Sequence, residues 1–342
     1  MAKLEKGQSQ VLFLDRRLLD LDAEEVLAVV QRRFPETQVV LLDSDSEQPE
    51  RPLPEPDELS MRKPPVRALV SGKGERALTH PLPGMIGTSL AMQYVYRMVR
   101  LVASRPTTVL IAGPTGTGKE LVARAVHSLS PRANKAFVVV NCAAIPEALL
   151  ESELFGFSRG AFTGAVQSQL GRIPAAQGGT LFLDEVSELP LGMQAKLLRF
   201  LEQKEIQRLG TYEVTRVDVR VVAASNVDLE ARAARGEFRQ DLFYRLSAFP
   251  IELPPLAARQ GDIVPLADHF LDCMAAALDV RKPKLEEDAI RLLEAHPWSG
   301  NVRELQHVME RASILVGEGD SIGAEHLCLT RSIRANPERN LT

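Results

Sequence analysis

The sequence of 342 residues predicts an α/β fold, a central parallel sheet flanked by helices, with a smaller helical subdomain after it. Three observations carry this. Short apolar runs at Thr108–Ala112, Phe137–Val140, Leu181–Leu183 and Val219–Ala223 alternate with helical patterns, which implies parallel strands covered on both faces. From about Asp262 the pattern turns helical, with segments near Leu266–Ala277, Glu286–His296 and Val302–Val316. The first of the strands, TTVLIA, runs into a glycine loop, a lysine and a helical stretch.

Bulk properties fit that reading. A hydrophobic content of 45% leaves core material in good supply. The net charge of −4 argues against a broad non-specific nucleic-acid surface. Cys142, Cys273 and Cys328 lie far apart without metal-ligand spacing, and read as reduced, mostly core thiols of a cytoplasmic protein. No run is long enough to span a bilayer, and MAKLEKGQSQ lacks the apolar stretch of a signal peptide.

Residues 1–48 hold Val11–Leu14, a helix-like stretch near Ala23–Phe34, and Val39–Leu42, a strand–helix–strand pattern too short for a stable domain. The segment resembles the later part of a two-component response-regulator receiver, with Asp15 at the phospho-acceptor position. The magnesium-holding acidic pair is absent and Asp43 replaces the usual Ser or Thr, so a docking remnant without phosphorylation is favoured. Residues 49–83, rich in Pro, Glu, Arg and Ser, read as a linker. Residues 84–255 carry the α/β pattern and 256–329 the helical one, followed by a polar tail, 330–342.

In GPTGTGKE, Gly113, Gly116 and Gly118 let backbone N–H groups close around phosphate oxygens at a helix N-terminus, with Pro114, Thr115 and Thr117 completing the loop. Lys119 would reach the β- and γ-phosphates. Glu120 stands where a magnesium-ligating Ser or Thr is usual, which shifts magnesium holding to Asp184 and water. GGTLFLDE places Asp184 as the Mg²⁺-organising group and Glu185 as the base that polarises the attacking water. The two motifs stand in the order a P-loop ATPase requires, roughly 65 residues apart.

Between them lies GAFTGA, comprising Gly160, Ala161, Phe162, Thr163, Gly164 and Ala165. It buries little and its glycines weaken any helix or strand, so it suits a mobile loop with an aromatic at its tip. On this hexapeptide and the flanking motifs, the chain resembles the AAA+ activators of sigma-54 RNA polymerase from Gly84 to Leu329.

The resemblance implies the following. Phe162, supported by Thr163, contacts sigma-54 from an insertion into the helix after the second strand, a helix that ends near Glu153–Phe157. A hairpin at Gly210–Thr215 moves beside it. Asn141 holds Glu185 until the γ-phosphate is sensed; on chemistry alone it caps a strand. Arg239 and Arg245 serve a neighbouring subunit's ATP, a role worth about 10³–10⁵ in rate. Without the resemblance both read as salt-bridge partners of Asp241 or Glu237. Ser225–Asn226 senses the γ-phosphate, Arg303 in WSGNVREL touches phosphate, Trp298 is core, and MIGTSLAMQ packs against adenine.

The implied function is an ATP-hydrolysing ring, a hexamer or heptamer, that remodels the closed promoter complex of sigma-54 and RNA polymerase. No helix-turn-helix fits after Ile322, so promoter DNA has no dedicated domain here. Activation from solution or through a partner, and a chain cut short, both account for that. Two rivals are a generic AAA+ remodeller, which has no use for GAFTGA, and a non-catalytic regulator of mixed rings, in which damage to Lys119, Glu185 or the arginines is expected.

Overall fold

Continuous apolar strands need cover on both faces, and the chain supplies it by crossing over with a helix after almost every strand. The computed structural model describes residues 11–15, 38–42, 80–317 and 321–329. The chain divides into two units, Met1–Gly74 and Glu75–Thr342.

In the first unit, β1 (Val11–Asp15) and β2 (Gln38–Leu42) pair in parallel, Val11 opposite Gln38. These are the two expected strands; the helix near Ala23–Phe34 and the Asp43 reading lie outside the described residues.

The second unit begins with α1 (Leu90–Ala103), capped by the Ser89 hydroxyl, and continues through β3 (Val109–Ala112), α2 (Lys119–Ser128), β4 (Phe137–Asn141) and α3 (Glu147–Phe155). Two short strands, β5 (Gly156–Phe157) and β6 (Gln169–Leu170), are followed by α4 (Arg172–Ala175) and β7 (Thr180–Asp184). Then come α5 (Leu191–Gln203), the hairpin β8 (Glu205–Gln207) and β9 (Val214–Arg216), and β10 (Arg220–Ser225). α6 (Leu229–Ala234), α7 (Gln240–Leu246) and β11 (Pro250–Glu252) complete the α/β part. α8 (Ile263–Leu278), β12 (Lys284–Leu285), α9 (Glu287–Ala295), α10 (Asn301–Val316) and β13 (Ser321–Ile322) form the helical part.

The five-stranded sheet runs β11-β3-β10-β7-β4, and all its pairs are parallel. Side-chain alternation sorts its residues into two cores. Leu181, Leu183, Val221 and Ala223 meet Leu150, Leu154, Leu197, Phe200, Leu242 and Leu246 on one face. Phe182, Val222 and Ala224 meet Met92, Val95, Val99, Val122 and Val126 on the other. A third core, around Trp298, Leu271, Leu293, Leu305 and Met309, belongs to the helical part. Buried Arg220 at the start of β10 donates to the Val102 and Ala103 carbonyls, tying the end of α1 to the sheet.

Three features depart from expectation. The edge strand β11 is additional. α3 stops at Phe155, because Gly156 takes φ +82 and the chain turns extended, so Gly156–Phe157 is strand and not helix end. Of the cysteines only Cys142 is buried; Cys273, on an outward face of α8, and Cys328, in irregular chain after β13, are exposed. No helix among the described residues is long and apolar enough to cross a membrane.

Candidate nucleotide site and output loop

Parallel strands deliver their carboxyl ends to one edge of the sheet, and the charged residues collect there. β3 opens into the glycine loop, and the register of β4 on β7 sets Asn141 opposite Asp184. Lys119 begins α2, its Nζ donating to the carbonyls of Gly113 at 2.8 Å and Pro114 at 3.2 Å. Gly118 caps α2 at φ +101, a left-handed backbone that glycine adopts without strain. A Cβ on Gly116, at φ +79, would collide with the Gly300 carbonyl, so the loop and the helical lid approach as only glycine permits.

Asp184 and Glu185 follow at the end of β7. The Asp184 carboxylate accepts the Glu185 N–H at 3.1 Å, and Glu185 takes φ +53, a left-handed backbone that costs a non-glycine residue about 1–3 kcal/mol. Burial pushes the Asp184 carboxyl above its ordinary range, with Lys119 opposing; burial lowers the Lys119 ammonium, with Asp184 and Glu185 opposing. Each charge thus offsets part of the other's desolvation.

The remaining predicted residues fall in three groups. Asn226 Nδ2 donates to Thr115 Oγ1 at 3.2 Å, placing it on the phosphate loop. The lid comes to the same loop: the N–H groups of Val302 and Arg303 donate to the Gly116 carbonyl at 3.0 and 3.3 Å. Trp298 is buried at 1% exposure in the lid core. Asn141 Oδ1 accepts from Ala143 and Ala144 N–H at 3.0 and 3.1 Å, closing the turn after β4. Arg239 forms a two-bond pair with Asp241, at 2.7 and 3.1 Å, and Arg245 donates to the Leu201 carbonyl at 3.3 Å. Among the described residues neither arginine hydrogen-bonds to the phosphate loop.

Sequence reasoning missed two residues here. Asn301, 2% exposed, donates to the Thr115 carbonyl at 2.9 Å and accepts the Leu256 N–H at 2.8 Å. Arg259, also buried, donates to the Thr117 carbonyl at 2.9 Å. Asn301 lies inside WSGNVREL, which was read for Trp298 and Arg303, and Arg259 lies outside every motif that was read.

The donor set fits a nucleotide triphosphate with magnesium. The loop offers backbone N–H groups and a lysine, and its Gly113 and Gly116 admit the close approach of the Leu253 and Gly300 carbonyls. Glu120 is taken up by Arg124 at 2.7 Å on the exposed side of α2, whereas Asp184 stands at the end of β7 within electrostatic reach of Lys119. Among the described residues no cluster of three or more acidic, His or Cys ligands exists.

The GAFTGA segment rises from the ladder of β5 on β6, which pairs Gly156 with Leu170 and Phe157 with Gln169. On the other side the Ser158 N–H donates to the Leu209 carbonyl and the Leu209 N–H to the Gly156 carbonyl, both at 3.0 Å. The loop closes on itself through Gly160 N–H to the Ala165 carbonyl and Ala165 N–H to the Phe162 carbonyl. Phe162 is 44% exposed and leans on Phe157, ring centroids 4.9 Å apart. The β8–β9 hairpin stands beside it and carries Tyr212 at 97% exposure.

The sheet order, glycine loop, strand-end acids and loop-bound helical lid define an ATP-binding P-loop protein of the AAA+ class. Residues 85–252 match the sigma-54 interaction domain and residues 257–341 the AAA+ ATPase lid domain. The chain belongs to the family of sigma-54-dependent transcriptional activators.

It is 49% identical over 265 residues to the Nif-specific regulatory protein of Klebsiella oxytoca, covering 78% of this chain and 49% of that protein. It is 39% identical over 327 residues to the response regulator FleR of Pseudomonas aeruginosa, covering 93% of this chain and 69% of FleR. The crystal structure of NtrX from Brucella abortus in complex with ATP aligns at TM-score 0.67 and 33% identity, over 95% of this chain and 77% of that one. The chain spans about half the length of the Nif-specific regulator it matches.

Proposed function

We propose that the protein hydrolyses ATP to ADP and phosphate within a hexameric or heptameric ring, and uses the cycle to drive Phe162 against sigma-54. The closed promoter complex of sigma-54 RNA polymerase is thereby remodelled toward opening. The observation that carries this reading is the GAFTGA loop, its stem clamped on both sides and Phe162 exposed, in the same domain as a full hydrolytic set.

Lys119 and the N–H groups of Gly116 to Lys119 hold and orient the phosphates. Asp184 would hold Mg²⁺, partly through water, and the ion would supply charge neutralisation when bound. Glu185, on its strained turn, takes the proton of the attacking water. Asn226 and Arg303 sense the γ-phosphate and the lid position. Arg239 leaves Asp241 to meet the neighbouring subunit's ATP together with Arg245, because a solvent-exposed ion pair is weak and readily exchanged. Asn141 exchanges its turn amides for Glu185 as the γ-phosphate comes and goes.

The test is capture of purified sigma-54 in the presence of a transition-state mimic of ATP, native chain against Phe162→Ala. Capture by the native chain and its loss in the variant, with ATP turnover kept by both, is the expected result. Turnover without capture by either would put the motor's target elsewhere.

A further inference from the structure

Gln194 is 0% exposed, yet it stands on the face of α5 that otherwise buries Met193, Leu197, Phe200 and Leu201. A carboxamide in such a core has to satisfy both its donor and its acceptor. Its Nε2 donates to the Leu189 carbonyl at 2.8 Å, and its Oε1 accepts the Arg239 N–H at 2.8 Å. Leu189 ends the single helical turn Val186–Glu188 that follows Glu185. Arg239 is the residue that opens α7, where first-turn N–H groups lack intrahelical partners and its own side chain makes no cap.

One buried side chain therefore joins the backbone leaving the hydrolytic acids to the backbone of the exposed arginine. A second tie runs in parallel, from Arg232 on α6 to the Ser187 carbonyl at 2.8 Å in the same turn. Phe238, Leu242 and Leu246 fix the rest of this segment in the core shared with α5. The Arg239 guanidinium pairs with exposed Asp241, while its backbone N–H is tied through Gln194 to the segment after Glu185.

We propose that Gln194 is a positioning residue for Arg239, carrying the state of one subunit's Glu185 turn to the arginine which that subunit presents to its neighbour. This rests on the trans-acting arginine reading above. A misplacement on the order of 1 Å can cost about a hundredfold in rate, so Gln194→Met should lower kcat roughly tenfold to a hundredfold. KM for ATP and ring mass should stay near native, because the phosphate loop and the shape of α5 are unchanged.

Subunit mixing tests the direction of the effect. Gln194→Met subunits keep a complete phosphate site and present a misplaced arginine. Glu185→Gln subunits have a dead site and a well-placed arginine. Mixed rings should turn over ATP several-fold faster than the sum of the two parents. Arg239→Ala mixed with Glu185→Gln is the control. Rescue in the control without rescue of Gln194→Met overturns the role of Gln194. Rescue in neither overturns the trans-acting arginine, and this inference with it. Should Gln194→Met fail to fold by thermal melting, Gln194→Asn takes its place in the same mixture, keeping a carboxamide that is one methylene too short to hold both the Leu189 carbonyl and the Arg239 N–H.

Discussion

Asn301 and Thr115 stand 186 positions apart in sequence, and the Asn301 carboxamide donates to the Thr115 carbonyl at 2.9 Å. Asn301 also takes φ +56, a left-handed backbone that Asn tolerates better than most residues. Lid and phosphate loop are thus joined by a buried side chain on a turn built for it.

Replacing Asn301 by Ala removes that bond and leaves the buried Leu256 N–H without its acceptor. An unsatisfied buried amide costs about 1–3 kcal/mol, and the left-handed backbone adds about 1–2. Chemical denaturation should show a loss of roughly 2–5 kcal/mol, with KM for ATP raised. Asn301→Gly should recover the backbone share only. Equal losses in the two variants would locate the whole effect in the hydrogen bonds.

Asp184→Asn should make the protein more stable and inactive. Burial holds the folded-state pKa of Asp184 above its unfolded value, so the ionised carboxylate costs stability at neutral pH. That cost is full above the folded pKa and fades as pH falls through it toward the ordinary aspartate value. Melting curves should place the Asn variant above native at neutral pH and level with it in acid. A variant that melts lower at pH 7 would contradict the burial argument. Magnesium-dependent hydrolysis should be lost throughout.

Gly210 holds the two exposed loops together. It takes φ +77, and a Cβ there would lie 2.6 Å from the Ala161 Cβ. Gly210→Ala should therefore push the GAFTGA loop off the hairpin, at a stability cost of about 1–2 kcal/mol from the backbone alone. ATP turnover should stay within about threefold of native, since a surface change away from the site shifts energies little. Capture of sigma-54 should fall in parallel with Phe162→Ala. Full capture by Gly210→Ala would show that the hairpin does not set the loop's position.

The sequence made the apolar strands, the glycine loop and the strand-end acids legible because each is a local pattern. Val109–Ala112 begins one residue later than expected, and Thr180–Asp184 is one residue longer at each end. β11 was invisible, since Pro250–Glu252 is too short to show a period and is a strand only by pairing with β3. Gln194, Arg259 and Asn301 were missed for one reason. Each is a polar residue whose partner is a backbone group of a distant element, and nothing in its own neighbourhood announces that. Phe162 was readable as exposed from its glycine-rich flanks, whereas its contact with Phe157 was not. Cys273 and Cys328 misled because cysteine is usually buried and these two are exposed.

Trp298 is the chain's single tryptophan, and its indole N–H donates to the Leu293 carbonyl at 2.7 Å inside the lid core. The protein thereby carries its own fluorophore, three residues from the bond that joins lid to loop. Its emission spectrum reads the lid alone, without label or mutation. A stopped-flow trace of that emission would time lid movement in every turnover, and a red shift on warming would reveal whether the lid melts before the sheet.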